Sequence, residues 1–467
     1  GIYVYVNFEH LAGTIQISGS SAREYGGLDE FEAAGGSDGG AIYVRGNLIV
    51  TGNLSIHNCS ADYGGGIYVF VNFANSGGKI DIAGSSAQKN GGGIYVHQNF
   101  AHRGGSLSVS DSSAKKDGGC LYVDSNAVFA NATASFSQCQ AQLQGGGILT
   151  LGNVSLTNAS LMFELATADE RSAALQASHL EQTGGDMTVY NSSASSEVIS
   201  VAAWVIDGGT FHIQDCKVDS FLMAAHQGAR LNATEFVVST SSGAGMLLSS
   251  GEVTMSSGIF NQTSSPQLRA KVVKVTHLNV TGSEASISWS SEISANESTV
   301  HDMDCDDSFG GYNRSDGVGC TKCDPGSVFV KNITEKTIAN RSAVQHCVPC
   351  PNGTSICNAT FIEMLPGMMV GKNISRGFHC PNPLACPRAN ISVNTNTSTW
   401  MCAPGYEGVG CAECTNDSAR SNSNVFICLK CAQADDTWGR VKIVKDVFLF
   451  LASDAVIFII SAAGVVT

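Results

Sequence analysis

Thirteen of the chain's 17 cysteines fall between Cys305 and Cys431, and eight positions in that stretch form Cys-x-x-Cys pairs: Cys320 with Cys323, Cys347 with Cys350, Cys411 with Cys414, and Cys428 with Cys431. Thiols at this spacing have two uses: thiolates can hold a tetrahedral zinc ion, or in an oxidising compartment they close short loops as disulfides. Glycosylation sequons, Asn-x-Ser/Thr, interleave with these cysteines at Asn313, Asn332, Asn340, Asn352 and Asn358, and the whole chain carries 19 of them. Glycan acceptors and oxidised thiols share one lumen, so disulfides are the expectation. It covers Cys305, Cys320, Cys323, Cys347, Cys350, Cys357, Cys380, Cys386, Cys402, Cys411, Cys414, Cys428 and Cys431, an odd number whose connectivity the sequence leaves open.

Other reactive side chains are sparse. Asp302, Asp304, Asp306 and Asp307 in "HDMDCDDS" could grip calcium. No EF-hand or glycine-aspartate repeat surrounds them, which makes a solvated acidic turn the simpler reading. His10, His57, His97, His102 and His212 fall in unrelated contexts. The formal net charge of −14, without clustered Lys or Arg, excludes nucleic acid. No cofactor, metal or catalytic residue is predicted.

Whatever positions these groups must be repetitive. "GGGIYV" stands at Gly64 to Val69 and again at Gly91 to Val96, with "GGAIYV" at Gly39, "GGCLYV" at Gly118, "GGGILT" at Gly145 and "GIYV" at Gly1. The markers Ile2, Ile42, Ile67, Ile94, Leu121 and Ile148 are 40, 25, 27, 27 and 27 residues apart, the first gap reading as a loop inserted in one coil. A second strand follows in each unit with period-two alternation, as in Ile80 and Ile82 against Asp81. Units of this length, with short strands and glycine turns, fit a mainly β fold: a right-handed parallel β-helix solenoid over 1–300, with coils of about 27 residues. The glycine pair is the corner that each coil repeats, because glycine reaches positive φ without steric cost.

Stacked coils turn equivalent residues into columns. Asn7, Asn47, Asn72, Asn99, Asn126 and Asn153 each follow their marker by five residues, and asparagine both tolerates a left-handed turn and bonds amide to amide along a stack. A buried structural ladder is expected, so that Asn153 should carry no glycan despite its sequon. Tyr3, Tyr43, Tyr68, Tyr95 and Tyr122 alternate outward between Ile and Val. They form either a stabilising aromatic ladder or a platform on which sugars stack. Cys59, Cys139 and Cys216 share a column with Ser85 and Ser112 and are expected to be packed thiols.

The glycine-rich coils resemble those of polymorphic outer membrane protein-like and right-handed β-helix surface proteins. The stretch "CAPGYEGVGCAECTNDSARSNSNVFICLKC", Cys402 to Cys431, resembles the ephrin-receptor-like and EGF-like cysteine-rich repeat that precedes the membrane region of large surface proteins. The resemblance to the first group covers roughly residues 1 to 300, although the glycines thin out from about residue 160.

Three regions follow: the repeat domain 1–300, a cysteine-rich segment 301–435, and an apolar run 447–467 long enough to begin a transmembrane helix. Asp454 inside that run points to neighbouring spans, and Arg440, Lys442 and Lys445 flank it on the side that the sequons make extracellular. Both ends of the chain look cut from something longer. The expected function is that of a non-catalytic cell-surface ectodomain, single- or multi-pass, for adhesion or recognition of extracellular glycans or cell-surface proteins. The alternatives are a carbohydrate-active β-helix enzyme and a receptor ectodomain whose signalling part lies elsewhere.

Overall fold

The computed structural model describes residues 1–22, 38–261, 267–282, 284–289, 298–305, 309–314, 317–329, 332–334, 347–358, 361–370, 377–387, 390–392, 402–421 and 423–430. They fall into two compact units, residues 1–324 with 329–348, and residues 325–328 with 349–467.

The first unit is a parallel β-solenoid. One coil shows its plan in four short strands, Ile67–Val69, Phe73–Asn75, Lys79–Ala83 and Ser86–Ala87. We name the resulting faces, in that order, the tyrosine, asparagine, serine and fourth faces. Coils stack in register: Ile42, Ile67, Ile94, Leu121 and Ile148 pair in sequence, as do Leu54, Ile80, Leu107, Ala134 and Leu161. Ile2 pairs directly with Ile42, so the long first interval leaves the register intact, as an inserted loop would. The inserted residues 23–37 themselves lie outside the described residues.

The two glycines of each corner have different jobs. Gly39, Gly64, Gly91, Gly118 and Gly145 adopt φ between +60° and +69°. Their successors do not, but each lies against the next coil: a Cβ on Gly65 would sit 2.4 Å from the Gly92 carbonyl oxygen, and one on Gly92 2.1 Å from that of Gly119. Where the pair is lost the corner survives at a cost, since Ser172 takes the first position at φ 54°.

The thinning of glycine after residue 160 changes the coil without ending it. The step from Leu149 to Asn153 spans four residues, whereas the paired step from Gln176 to His179 spans three. With that residue gone the corner between the tyrosine and asparagine faces straightens, and their strands fuse into Leu175–Thr183, Ile199–Asp207 and Phe221–Asn232. Parallel stacking continues to Thr299–Cys305, and the antiparallel hairpin Phe309–Arg314 with Gly317–Lys322 then covers the edge of Ala285–Trp289. Asp302 and Asp304 belong to that last parallel strand, which corrects the expected acidic turn. Asp306 and Asp307 are outside the described residues.

Inward side chains form one continuous core. Phe73 stacks on Phe100 at 5.1 Å, Phe136 on Phe163 at 5.4 Å, and Phe211 on Phe236 at 4.9 Å, all fully buried. Each such burial contributes about 1.5–3 kcal/mol. Cys59 and Cys216 are free and buried as expected, and burial pushes the Cys216 thiol up to about 12. Cys139 is a correction: it forms a disulfide with Cys120. Cys120 occupies the third corner position, which is Gly66 and Gly93 in the coils before it, and its side chain reaches across the interior to Cys139.

Polar groups enter this core at the end of the asparagine-face strands. His102, fully buried, meets the Asn75 amide through Nδ1 at 3.1 Å and the Thr133 carbonyl through Nε2 at 3.0 Å. With Asn75 Nδ2 donating to Nδ1, the ring is neutral, and the Nε2 hydrogen goes to Thr133. Burial pushes the His102 pKa below its ordinary value, against the opposing pull of the Thr133 carbonyl. The unfolded chain therefore takes up a proton at this histidine before the folded one does. Stability from His102 is present above about pH 6.5 and declines as the pH falls towards the folded pKa. Asp38, raised to about 6 by burial and then by Asp62, acts in the opposite sense near that pH. The wild type should lose more stability than His102→Asn between pH 7 and pH 5 in chemical denaturation. Parallel pH profiles would contradict the assignment.

The second unit is held by disulfides: Cys350–Cys357, Cys380–Cys386, Cys402–Cys411 and Cys414–Cys428. Its small core gathers Met369, Cys380, Ala385, Cys386 and Cys411, with Phe378 and Tyr406 packed against them. The Tyr406 hydroxyl accepts from Asn382 Nδ2 at 3.0 Å and from the Cys428 N–H at 3.1 Å, tying three loops to one ring.

Candidate functional site

The tyrosine face carries the predicted aromatic column. Tyr3, Tyr43, Tyr68, Tyr95 and Tyr122 stack with centroids 4.4, 5.1, 5.1 and 5.1 Å apart and planes within 5°. They point away from the main core, as alternation requires, yet Tyr43, Tyr68, Tyr95 and Tyr122 are only 4–8% exposed and pack with Leu149 and Tyr63 as a core of their own. The sugar-platform reading is thereby corrected, because each ring's two faces are already covered by its neighbours and a pyranose has nowhere to stack. Only Tyr3, at the end of the column, is half exposed. Desolvation, together with a 2.8 Å hydrogen bond to Asp124 Oδ2, pushes the Tyr95 pKa well above the ordinary tyrosine range.

Immediately beyond this column, at the corner with the asparagine face, lies a ridge that alternation alone did not single out. Tyr5, Arg45, Phe70, His97, Asp124 and Leu151 each follow the last residue of their tyrosine-face strand, and from Arg45 onward each backbone N–H bonds to the coil before it. Arg45 lies over Tyr5 at 6.0 Å, Phe70 stacks on His97 at 4.8 Å, and His97 Nδ1 meets Asp124 Oδ2 at 2.6 Å. Tyr5 is 63% exposed, Phe70 40% and Leu151 58%, so the ridge offers large apolar groups to solvent beside charged ones. The sequence signal was the residue after each "IYV", whose side chain a turn throws outward. Among the described residues, no sequon asparagine falls on the tyrosine face or on this ridge.

The asparagine ladder exists and is outside. Nδ2 of Asn47, Asn72, Asn99 and Asn126 donates to Oδ1 of the asparagine one coil earlier, starting from Asn7, at 3.0–3.3 Å. Each Oδ1 also accepts the next backbone N–H. The expected burial is corrected: Asn7, Asn99, Asn126 and Asn153 are exposed and the other two half-buried, and none has positive φ. The left-handed conformation is taken instead by Asn58, Asn131, Asn158 and Asn191 at other turns.

Where the ladder ends, a groove of about 560 Å³ opens on the outer surface, with Val128, Ala203 and Val205 in its lining beside Asn153, His179 and Glu181. A second groove of about 510 Å³ further along presents Arg230, Lys274 and His301.

In the cysteine-rich segment all twelve described cysteines are disulfide-bonded, the solenoid unit contributing Cys305–Cys320 and Cys323–Cys347. The Cys-x-x-Cys pairs at Cys320, Cys347 and Cys411 are each split between two bridges, which is what loop closure requires and zinc binding does not. Cys431 lies outside the described residues. So does the apolar run 447–467, and among the described residues no helix is long and apolar enough to cross a membrane. No group of three or more His, Cys, Asp or Glu able to hold a metal occurs among the described residues. Disulfides in this number fit an extracellular or secreted protein. Neither protein-family profiles, nor curated proteins, nor solved structures yield a match to this chain.

Proposed function

We propose that the chain is a non-catalytic extracellular recognition module, tethered to a membrane through residues 447–467 and engaging a surface protein with the ridge from Tyr5 to Leu151. The observation that carries this reading is the ridge itself. Exposed Tyr, Phe, Arg and His side chains, mounted on a rigid stacked-tyrosine base, have the composition of protein-binding hot spots. Preorganisation lowers the ordering cost of binding, and the stack beneath supplies it. No sequon falls on the ridge from Tyr5 to Asp124, and the nearest, Asn153, lies beyond its Leu151 end, so a glycan there would leave that stretch open. Glycoside hydrolysis takes two placed carboxylates, whereas among the described residues the first groove is lined by one, Glu181, and the second by none.

Phe70→Asp should weaken capture of the partner from a cell-surface protein display by roughly 30-fold, corresponding to about 2 kcal/mol. Ser108→Asp, on the serine face, should leave capture unchanged. Equal behaviour of the two variants, or no captured surface protein, would remove the ridge from the function.

A further inference from the structure

Among the six ladder asparagines only Asn153 heads a sequon, Asn153-Val154-Ser155. It is also the rung at which the ladder lets go. From Asn47 to Asn126 each side-chain nitrogen is held by the carboxamide of the preceding rung, so a sugar replacing that hydrogen would break a ladder bond. At Asn153 the backbone N–H still donates to Asn126 Oδ1 at 3.0 Å, but Nδ2 has no partner among the described residues. Its Oδ1 accepts from His179 Nδ1 at 3.1 Å instead, which fixes the carboxamide with its nitrogen free. The residue is exposed and lines the groove of about 560 Å³, whose lining combines Val128, Ala203 and Val205 with the polar Ser155 and Glu181.

We propose that Asn153 is an N-glycosylation acceptor whose first sugar lies in this groove, an inference that rests on the extracellular reading. In the transfer, Nδ2 bonds to the anomeric carbon of a lipid-diphosphate-linked oligosaccharide as the bond from that carbon to the diphosphate oxygen breaks. The lipid diphosphate leaves with the electron pair, and the amide gives one proton to the transferase's base. The groove then offers the sugar an apolar surface for its C–H face and Ser155 and Glu181 for its hydroxyls. His179 acts as a positioning residue.

The test is the full chain expressed in a eukaryotic secretory host, with glycans released by an amidase in heavy-oxygen water and the labelled sites read by peptide mass spectrometry. Label at Asn153, entering more slowly in the native protein than at exposed Asn58 and equally fast after denaturation, is the expected result. Label at Asn58 or Asn131 with Asn153 bare overturns the proposal and leaves the extracellular reading standing. Label at Asn153 that enters as fast as at Asn58 in the native protein overturns the seat in the groove. No label at any sequon overturns both the site and the compartment.

Discussion

Gly92→Ala is expected to destabilise the solenoid by more than about 3 kcal/mol, and Gly91→Ser by about 1–3 kcal/mol, although the two glycines are adjacent and equally repeated. The added Cβ at Gly92 would stand 2.1 Å from the Gly119 carbonyl oxygen and 2.4 Å from that of Ser113, both backbone atoms of the next coil, which is tied to this corner by the hydrogen bonds from Gly92 to Gly118 and from Gly93 to Cys120. No rotamer change relieves that contact, so the coils must part. Gly91 adopts a left-handed φ of 69°, and a Cβ there would stand 2.5 Å from the Ile94 carbonyl oxygen of its own corner, a contact that the local turn relieves without parting the coils, as Ser172 demonstrates at φ 54° in the equivalent position. Along the second column Ala173 is admitted only where the following coil, at Glu197 and Val198, has lost its glycine pair. Chemical denaturation of the two variants checks this. A Gly92→Ala protein as stable as Gly91→Ser would mean that the coils are not in close backbone contact at this corner.

Loss of the Cys120–Cys139 bridge is expected to cost about 3 kcal/mol, the chain-entropy value for a loop of this size, the two residues being 19 apart in sequence. The informative variant is the double replacement Cys120→Gly with Cys139→Ser. It restores the residues found one coil earlier, Gly93 and Ser112, and the Ser112 hydroxyl there satisfies itself on the Ser110 carbonyl at 2.9 Å. The double variant should therefore fold, with its unfolding midpoint lowered by the missing cross-link alone. Cys139→Ser by itself leaves the Cys120 thiol without its bridge in a dry core and should be no more stable than the double. Because both sulfurs are buried, a reductant and alkylating agent should label neither cysteine until the solenoid unfolds. Labelling of the native protein would contradict a bridge inside the coil.

The period was legible because a stack repeats the same corner and the same inward side chains. Six markers and six asparagines at one offset were enough to place Ile42 over Ile2 across an interval of 40 residues. The Asn ladder was legible for the same reason, since its partners are vertical neighbours. Its exposure was not, because a column seen in sequence has no inside or outside until the corner beside it is built. The ridge of Tyr5, Phe70 and His97 went unnoticed at that level, its residue types differing from coil to coil while only its position repeats.

By itself, then, the sequence determined the axial order of this protein: coil length, register, the glycine corner, and the oxidised character of its cysteine-rich end. The tertiary structure decided everything that depends on what faces what around one coil. Cys120 meets Cys139 across the interior, the tyrosines close on one another instead of opening to a ligand, and Asn153 turns its oxygen to His179 and frees its nitrogen. The physical reason is that stacking converts a spacing of about 27 residues into a contact of about 4.8 Å along the axis, which periodicity reports directly. Contacts across or around a coil depend instead on the angles of its turns, which the spacing of repeats does not carry.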